Sequence, residues 1–190
     1  MKKIAPLFIC IVAMGGCGKT STSGDTPPNV ALGNQFVDAF YSFNRDSLQS
    51  LLSAAKTSQP EILYYQKWAA CAHYSVIDRS HYFEKNDSTV VMPVTVKDDL
   101  MTALAINFNV TDTFHISIRN KKIYSVKTSS NDVAEYYRAK EWVKKNRPEL
   151  IETACEGIWA GGPTPCECVL GMMKGFGEYV KEMKIDVRRE

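Results

Sequence analysis

The sequence predicts an α+β fold: helices first, then an antiparallel sheet, then a helical C-terminal segment. Two changes of period carry this reading. Apolar residues recur at helical spacing from Asn29 to Tyr74, alternate from Ser75 to Ser130, and return to helical spacing beyond it. Turn chemistry supports it. KNDS, KDDL, TD and RNKK interrupt the alternating region, and each suits a tight antiparallel turn.

The first helix is expected over residues 29–44, where Val30, Phe36, Val37, Phe40, Tyr41 and Phe43 recur with helical spacing. Asn44-Arg45-Asp46 breaks it. A second helix, RDSLQSLLSAA, carries Leu48, Leu51 and Leu52 on one side. Pro60 suits the start of a third, EILYYQKWAACAHY, which presents Ile62, Tyr64, Tyr65, Trp68, Ala69 and Ala72. Five strands follow over 75–85, 88–97, 101–110, 113–120 and 122–130. In the third, Leu104, Ile106, Phe108 and Val110 would share a face. In the fourth, Phe114, Ile116 and Ile118 face in, while His115, Ser117 and Arg119 face out. Pro93 has no N–H for a ladder and marks an edge or a bulge. Asn131 or Ser130 can cap a helix over DVAEYYRAKEWVKKN, and Pro148 kinks it or restarts it as ELIETACEGIWA. GGPTPCEC reads as a loop. The last helix, VLGMMKGFGEYVKEMK, is weakened by Gly171, Gly175 and Gly177.

At the N-terminus, AMGGCGKT (13–20) fits a phosphate-loop pattern with Ala in first position. Its surroundings exclude that reading. The Lys19-Thr20 pair leads into STSGDTPPN, which cannot start the helix a phosphate needs. Lys2 and Lys3, the apolar run Ile4–Met14, and Gly15-Gly16 before Cys17 form instead the parts of a secretion signal. This order resembles the bacterial lipobox, with Met14 where Leu is usual. The resemblance implies cleavage after residue 16, palmitate-type acylation of Cys17, and a membrane anchor through that lipid. By resemblance to enterobacterial lipoproteins, Gly18 points to the periplasmic side of the outer membrane. Residues 17–29 read as a flexible tether.

A chain starting at Cys17 has 174 residues, enough for one domain with a real core. Without Lys2 and Lys3 it carries 21 basic and 21 acidic side chains, a balance that argues against a nucleic-acid surface. Export implies an oxidising compartment, so Cys71, Cys155, Cys166 and Cys168 are disulfide candidates. A Cys166–Cys168 bridge would close a tight ring and ranks last. Cys155 with Cys166 or Cys168 is preferred. The usual CxxC pairs of a metal site are missing. No metal, nucleotide or other cofactor is expected.

FVDAFYSFNRDSLQSLLS followed by ILYYQKWAACAHYSVIDRS resembles the first half of a nuclear-transport-factor-two-like domain, also called SnoaL-like. The resemblance covers about residues 30–130. It implies that the sheet curves around the long helix as a cone with a pocket; residues 131–190 depart from the family pattern and read as a disulfide-stapled helical extension added to that core. It also implies a pocket lining from Phe36, Phe40, Tyr64, Trp68 and Phe108. Enzymes of that superfamily transfer protons in the cone, which makes Tyr65, His73 and Asp78 the candidate catalytic groups here, with His81 beside them.

Plainer readings stand next to these. Tyr64, Tyr65 and Trp68 also suit core packing. His73 suits a helix C-terminus. Asp78 and Arg79 suit a surface ion pair. Asp78 and His81, three apart on one strand, would point to opposite faces. The expected function is therefore that of an envelope lipoprotein whose cone binds a small apolar molecule or another envelope protein. An isomerase- or dehydratase-like enzyme and a structural subunit of an envelope complex are the alternatives.

Overall fold

The structure, a computed structural model, describes residues 26–79, 82–157 and 165–183. The signal segment, Cys17, most of the tether, His81 and residues 158–164 lie outside the described residues. The described chain is α+β, with six α-helices and an open five-stranded antiparallel sheet. The helices are α1 (Pro28–Tyr41), α2 (Arg45–Leu51), α3 (Gln59–Cys71), α4 (Asp99–Ala103), α5 (Ala134–Asn146) and α6 (Pro165–Glu182). The strands are β1 (Ser75–Asp78), β2 (Phe83–Asn86), β3 (Thr89–Lys97), β4 (Val110–Arg119) and β5 (Lys122–Ser130).

The sheet runs β1-β3-β4-β5, and β2 pairs with β3 on the same side as β1. The expected strand over 75–85 is thus two short segments. β1 pairs with Thr95–Lys97 and β2 with Thr89–Val91. Pro93 falls in the gap between them, paired only with Thr113 of β4. A residue with no N–H sits where the edge ladder is interrupted. The β4–β5 hairpin turns through Asn120 and Lys121, both at positive φ, with Arg119 paired to Lys122. This is the two-residue turn that follows the right-handed twist of the strands.

The expected strand over 101–110 does not form. Asp98 is extended, and its Oδ1 accepts the N–H of Met101 at 2.9 Å, capping the short helix α4. Leu104 closes that helix and Ala105 turns at positive φ, so the alternation from Leu104 to Phe108 is not a strand face. The second helix stops at Leu51 rather than Ala55. Neither Ser130 nor Asn131 caps α5. Val133 holds the cap position, and Asn131 accepts the N–H of Thr111 at 2.6 Å instead. Pro148 restarts the chain as a single 3-10 turn, Pro148–Leu150, followed by turns. The expected loop ends early, because Cys166 and Cys168 lie in the first turn of α6.

One apolar cluster runs from Val30 and Phe36 on α1, through Ile116 and Ile123 of the sheet, to Val169 and Phe176 on α6. It crosses residue 130 without interruption. Helix α6 packs against α3, α4 and α5. Two disulfides fasten it: Cys71–Cys166 joins the end of α3 to its start, and Cys155–Cys168 joins it to the turns after the 3-10 segment. The glycines of α6 allow the close approach. A Cβ on Gly171 would run into the carbonyl oxygen of Leu150, and one on Gly175 would lie 2.5 Å from Val143 Cγ2. Gly177 faces open space.

Candidate functional site

At the end of the sheet where β4 begins and β5 finishes, the helices do not close over the strands. The result is a cavity of about 320 Å³. Helix α3 contributes Tyr65 and Trp68, three apart and so on one face. Tyr74 follows from the chain leaving α3. Asp98, Leu100 and Met101 come from the start of α4, and Val110 and Asp112 from β4. Thr128, Ser129, Ser130 and Asp132 come from the end of β5 and beyond. Tyr136, Tyr137 and Lys140 come from one flank of α5.

Asp112 is the chemical centre of this wall. It is 1% exposed, and both carboxylate oxygens accept a phenol. Tyr65 donates to Oδ1 at 2.6 Å and Tyr41 donates to Oδ2 at 2.9 Å. Burial raises its pKa to about 6; the two tyrosine hydrogen bonds oppose that, and Asp132 and Asp98 add to it. The tyrosines respond in turn. Burial, together with the negative charge of Asp112, raises Tyr41, Tyr65 and Tyr74 above the ordinary phenol range. They are hydrogen-bond donors at neutral pH, not bases. Phe40 backs the group, its ring centroid 5.3 Å from Tyr65 and 4.9 Å from Phe114.

Asp98 is the second buried carboxylate, 3% exposed. Its Oδ1 is used in the cap of α4. Its Oδ2 is buried and has no hydrogen-bond partner among the described residues. Burial raises its pKa, with backbone donors opposing and Asp132 and Asp99 adding to the rise. Asp132, at the rim, accepts the hydroxyls of Ser130 at 2.5 Å and Tyr137 at 3.3 Å. Three carboxylates thus face the cavity, and Lys140 is the single cationic side chain among its described lining. No group of three or more His, Cys, Asp or Glu among the described residues is arranged to hold a metal ion.

The residues singled out from sequence divide sharply. Tyr65 and Trp68 line the cavity. Phe36 and Phe40 do not; they pack on Phe114, with centroids 5.2 and 4.9 Å away, and fill the core. Tyr64 is buried in the core and does not line the cavity, and Phe108 packs on the core from the segment after α4. His73 stands away from the cavity, at positive φ just past α3, with Nδ1 2.6 Å from Asp99 Oδ2 on an exposed surface. It follows the helix end rather than capping it. Asp78 is exposed on β1, next to Arg79, which pairs with Asp38 of α1 at 2.5 Å. Cys155 pairs with Cys168, one of the two partners preferred for it, and Cys71 takes Cys166.

Asp98, Asp112 and Asp132 were missed. For Asp112 a signal existed. Val110, Asp112, Phe114, Ile116 and Ile118 share parity, and that face of β4 is buried throughout. Reading Thr111-Asp112 as a turn hid a carboxylate inside an apolar stripe. No protein-family model matches the chain, and no curated protein does.

Proposed function

We propose that this chain is a lipid-anchored cell-envelope protein that binds a small molecule. Acylation at Cys17 and the periplasmic side of the outer membrane follow from the N-terminal resemblance. On this reading the helices and curved sheet are the cone of a nuclear-transport-factor-two-like domain, and the cavity is its binding pocket. One observation carries the proposal. The cavity of about 320 Å³ combines aromatic walls with a few convergent polar groups, at the lower end of the size range of small-molecule sites. The polar groups refine the expectation of an apolar ligand: its body is apolar or aromatic, and it carries a group that can meet carboxylates.

Native mass spectrometry of the full chain, taken from the envelope in a non-ionic detergent, tests the proposal. The expected mass includes acyl chains on Cys17 and a retained small molecule that is lost on unfolding. A mass equal to the acylated polypeptide alone, in preparations that bind none of a small-molecule library, would sink the binding reading. For the anchor, Cys17→Ser should release the protein from the membrane fraction. Its continued partition into membranes after signal cleavage would sink that part alone.

A second reading is favoured by Asp112. A carboxylate with a pKa about 6, beside a tyrosine donor, is suited to proton abstraction near neutrality. An isomerase or dehydratase would then use Asp112 and Tyr65, not His73 or Asp78. The test is deuterium uptake at the α-carbon of a panel of ketones in D₂O, followed by NMR. Uptake that disappears in Asp112→Asn supports this reading, and no uptake above buffer contradicts it.

A further inference from the structure

We propose that the cavity recognises an organic cation, an ammonium group carried on an apolar or aromatic body, with Asp98 as its principal counter-charge. The inference rests on the binding reading above and specifies its ligand. Three observations carry it. The first is the unpartnered Oδ2 of Asp98. A carboxylate oxygen buried without a donor is costly, and natural structures rarely leave one without a role. Here the residue lines an open cavity, so the positive charge of a ligand held there can compensate a carboxylate that lacks a donor of its own.

The second observation is the charge balance. Asp98, Asp112 and Asp132 face one cation, Lys140, across a partly open space walled by protein. At neutral pH an anionic ligand would have to approach three carboxylates in a poorly screened site. A cation relieves their mutual repulsion. The third is the company those carboxylates keep. Trp68, Tyr74 and Tyr136 stand among them. Aromatic faces attract a cation through the ring quadrupole, and they suit an ammonium with bulky, weakly hydrated substituents better than a compact metal ion. The carboxylates supply the charge and the rings the selectivity.

The roles are separable. Asp112 already serves two phenols, so its oxygens are less available than Asp98 Oδ2. Lys140 sits on the rim flank of α5, where its charge opposes entry of a cation.

The test uses the full chain with disulfides intact, in a non-ionic detergent. Benzyltrimethylammonium is titrated against benzyl alcohol, benzoate and calcium chloride, with binding read by calorimetry and by thermal unfolding. The expected result is saturable binding of benzyltrimethylammonium, weaker binding of benzyl alcohol, and no response to benzoate. Asp98→Asn, which keeps an oxygen for the helix cap, should weaken the cation about tenfold and leave benzyl alcohol unchanged. Lys140→Gln, on the open flank of α5, should tighten it. Benzyl alcohol or benzoate binding as tightly as the cation overturns the inference while leaving the binding cavity standing. So does a calcium response larger than that of the organic cation. No response to any probe, in a chain that unfolds cooperatively, overturns both.

Discussion

Towards the C-terminal end of helix α5, Val143 lies so near α6 that a Cβ at Gly175 would come within 2.5 Å of it. Nearer its start, Tyr136, Tyr137 and Lys140 stand over about 320 Å³ of space. The first region is a seam fastened by glycine and cystine. The second borders three carboxylates and little that closes over them. Tyr136 connects the two, lining the cavity while its ring meets Phe176 of α6 at 5.6 Å. The difference teaches what the seam does. A helix that must hold a wall of an open, charged cavity cannot draw its own stability from that cavity. It draws it from α6, which the disulfides hold in place.

The largest effect should come from unfastening the seam. The Cys71–Cys166 bond spans 95 residues, and chain entropy assigns such a closure about 5 kcal/mol. The Cys155–Cys168 bond spans 13, which gives about 3 kcal/mol. Urea unfolding of Cys71→Ala/Cys166→Ala should therefore show a greater loss than Cys155→Ala/Cys168→Ala. Each loss should be confined to oxidising conditions. Equal losses in reductant would mean that the cysteines act through packing alone.

The next effect belongs to the cavity and has the opposite sign from a usual salt-bridged aspartate. The folded pKa of Asp112, about 6, lies above its ordinary value of 3.8. The folded state therefore holds this proton more tightly than the unfolded chain does. Stability from this group rises as pH falls from about 7 towards 4, by about 3 kcal/mol across the window. It is lost again as pH climbs through 6. Asp98 shifts the same way, while Asp132, Lys140 and the surrounding tyrosines set the field they share. The pH dependence of urea unfolding in wild type minus that in Asp112→Asn isolates the contribution. A difference that grows with rising pH above 6, or none at all, would count against the buried charge.

Single glycines give smaller effects and sharpen the seam. Gly171→Ala sets a methyl group against the Leu150 carbonyl, and backbone cannot swing aside as a side chain does. A loss of about 2 kcal/mol is expected in urea unfolding. Gly177→Ala meets nothing and should stabilise the helix by about 0.5–1 kcal/mol. If the two changes are alike, the close approach of α6 is not what those glycines serve.

Much of the frame was legible in the sequence, for local reasons. The period of β4 gives its inward face directly, and RNKK makes a two-residue turn. What failed was punctuation. KDDL and TD carry aspartates, which turns favour, yet Asp98 starts a helix and Asp112 sits inside a strand. Aspartate side chains serve caps, turns and buried sites alike, and only tertiary partners decide which. Those partners, Tyr41 and Tyr65, lie 71 and 47 residues away from Asp112. The candidate site was misread for the same reason. Tyr65 and Trp68 reach the cavity because α3 turns that face towards β4. His73 and Asp78, attractive as chemistry, lie where the chain leaves α3 for the exposed edge strand. The glycines of α6 looked like weakness because the Leu150 carbonyl and Val143 that they accommodate belong to other parts of the chain.

The central claim is that an aspartate, enclosed by two phenols, stands charged at the edge of an open cavity. Carbon-13 NMR of the labelled carboxyl groups measures this directly, with Asp112 assigned by its loss in Asp112→Asn. The account predicts a titration midpoint of about 6 for Asp112, shifted downwards by benzyltrimethylammonium. A midpoint in the ordinary carboxylate range, unmoved by the cation, would contradict it.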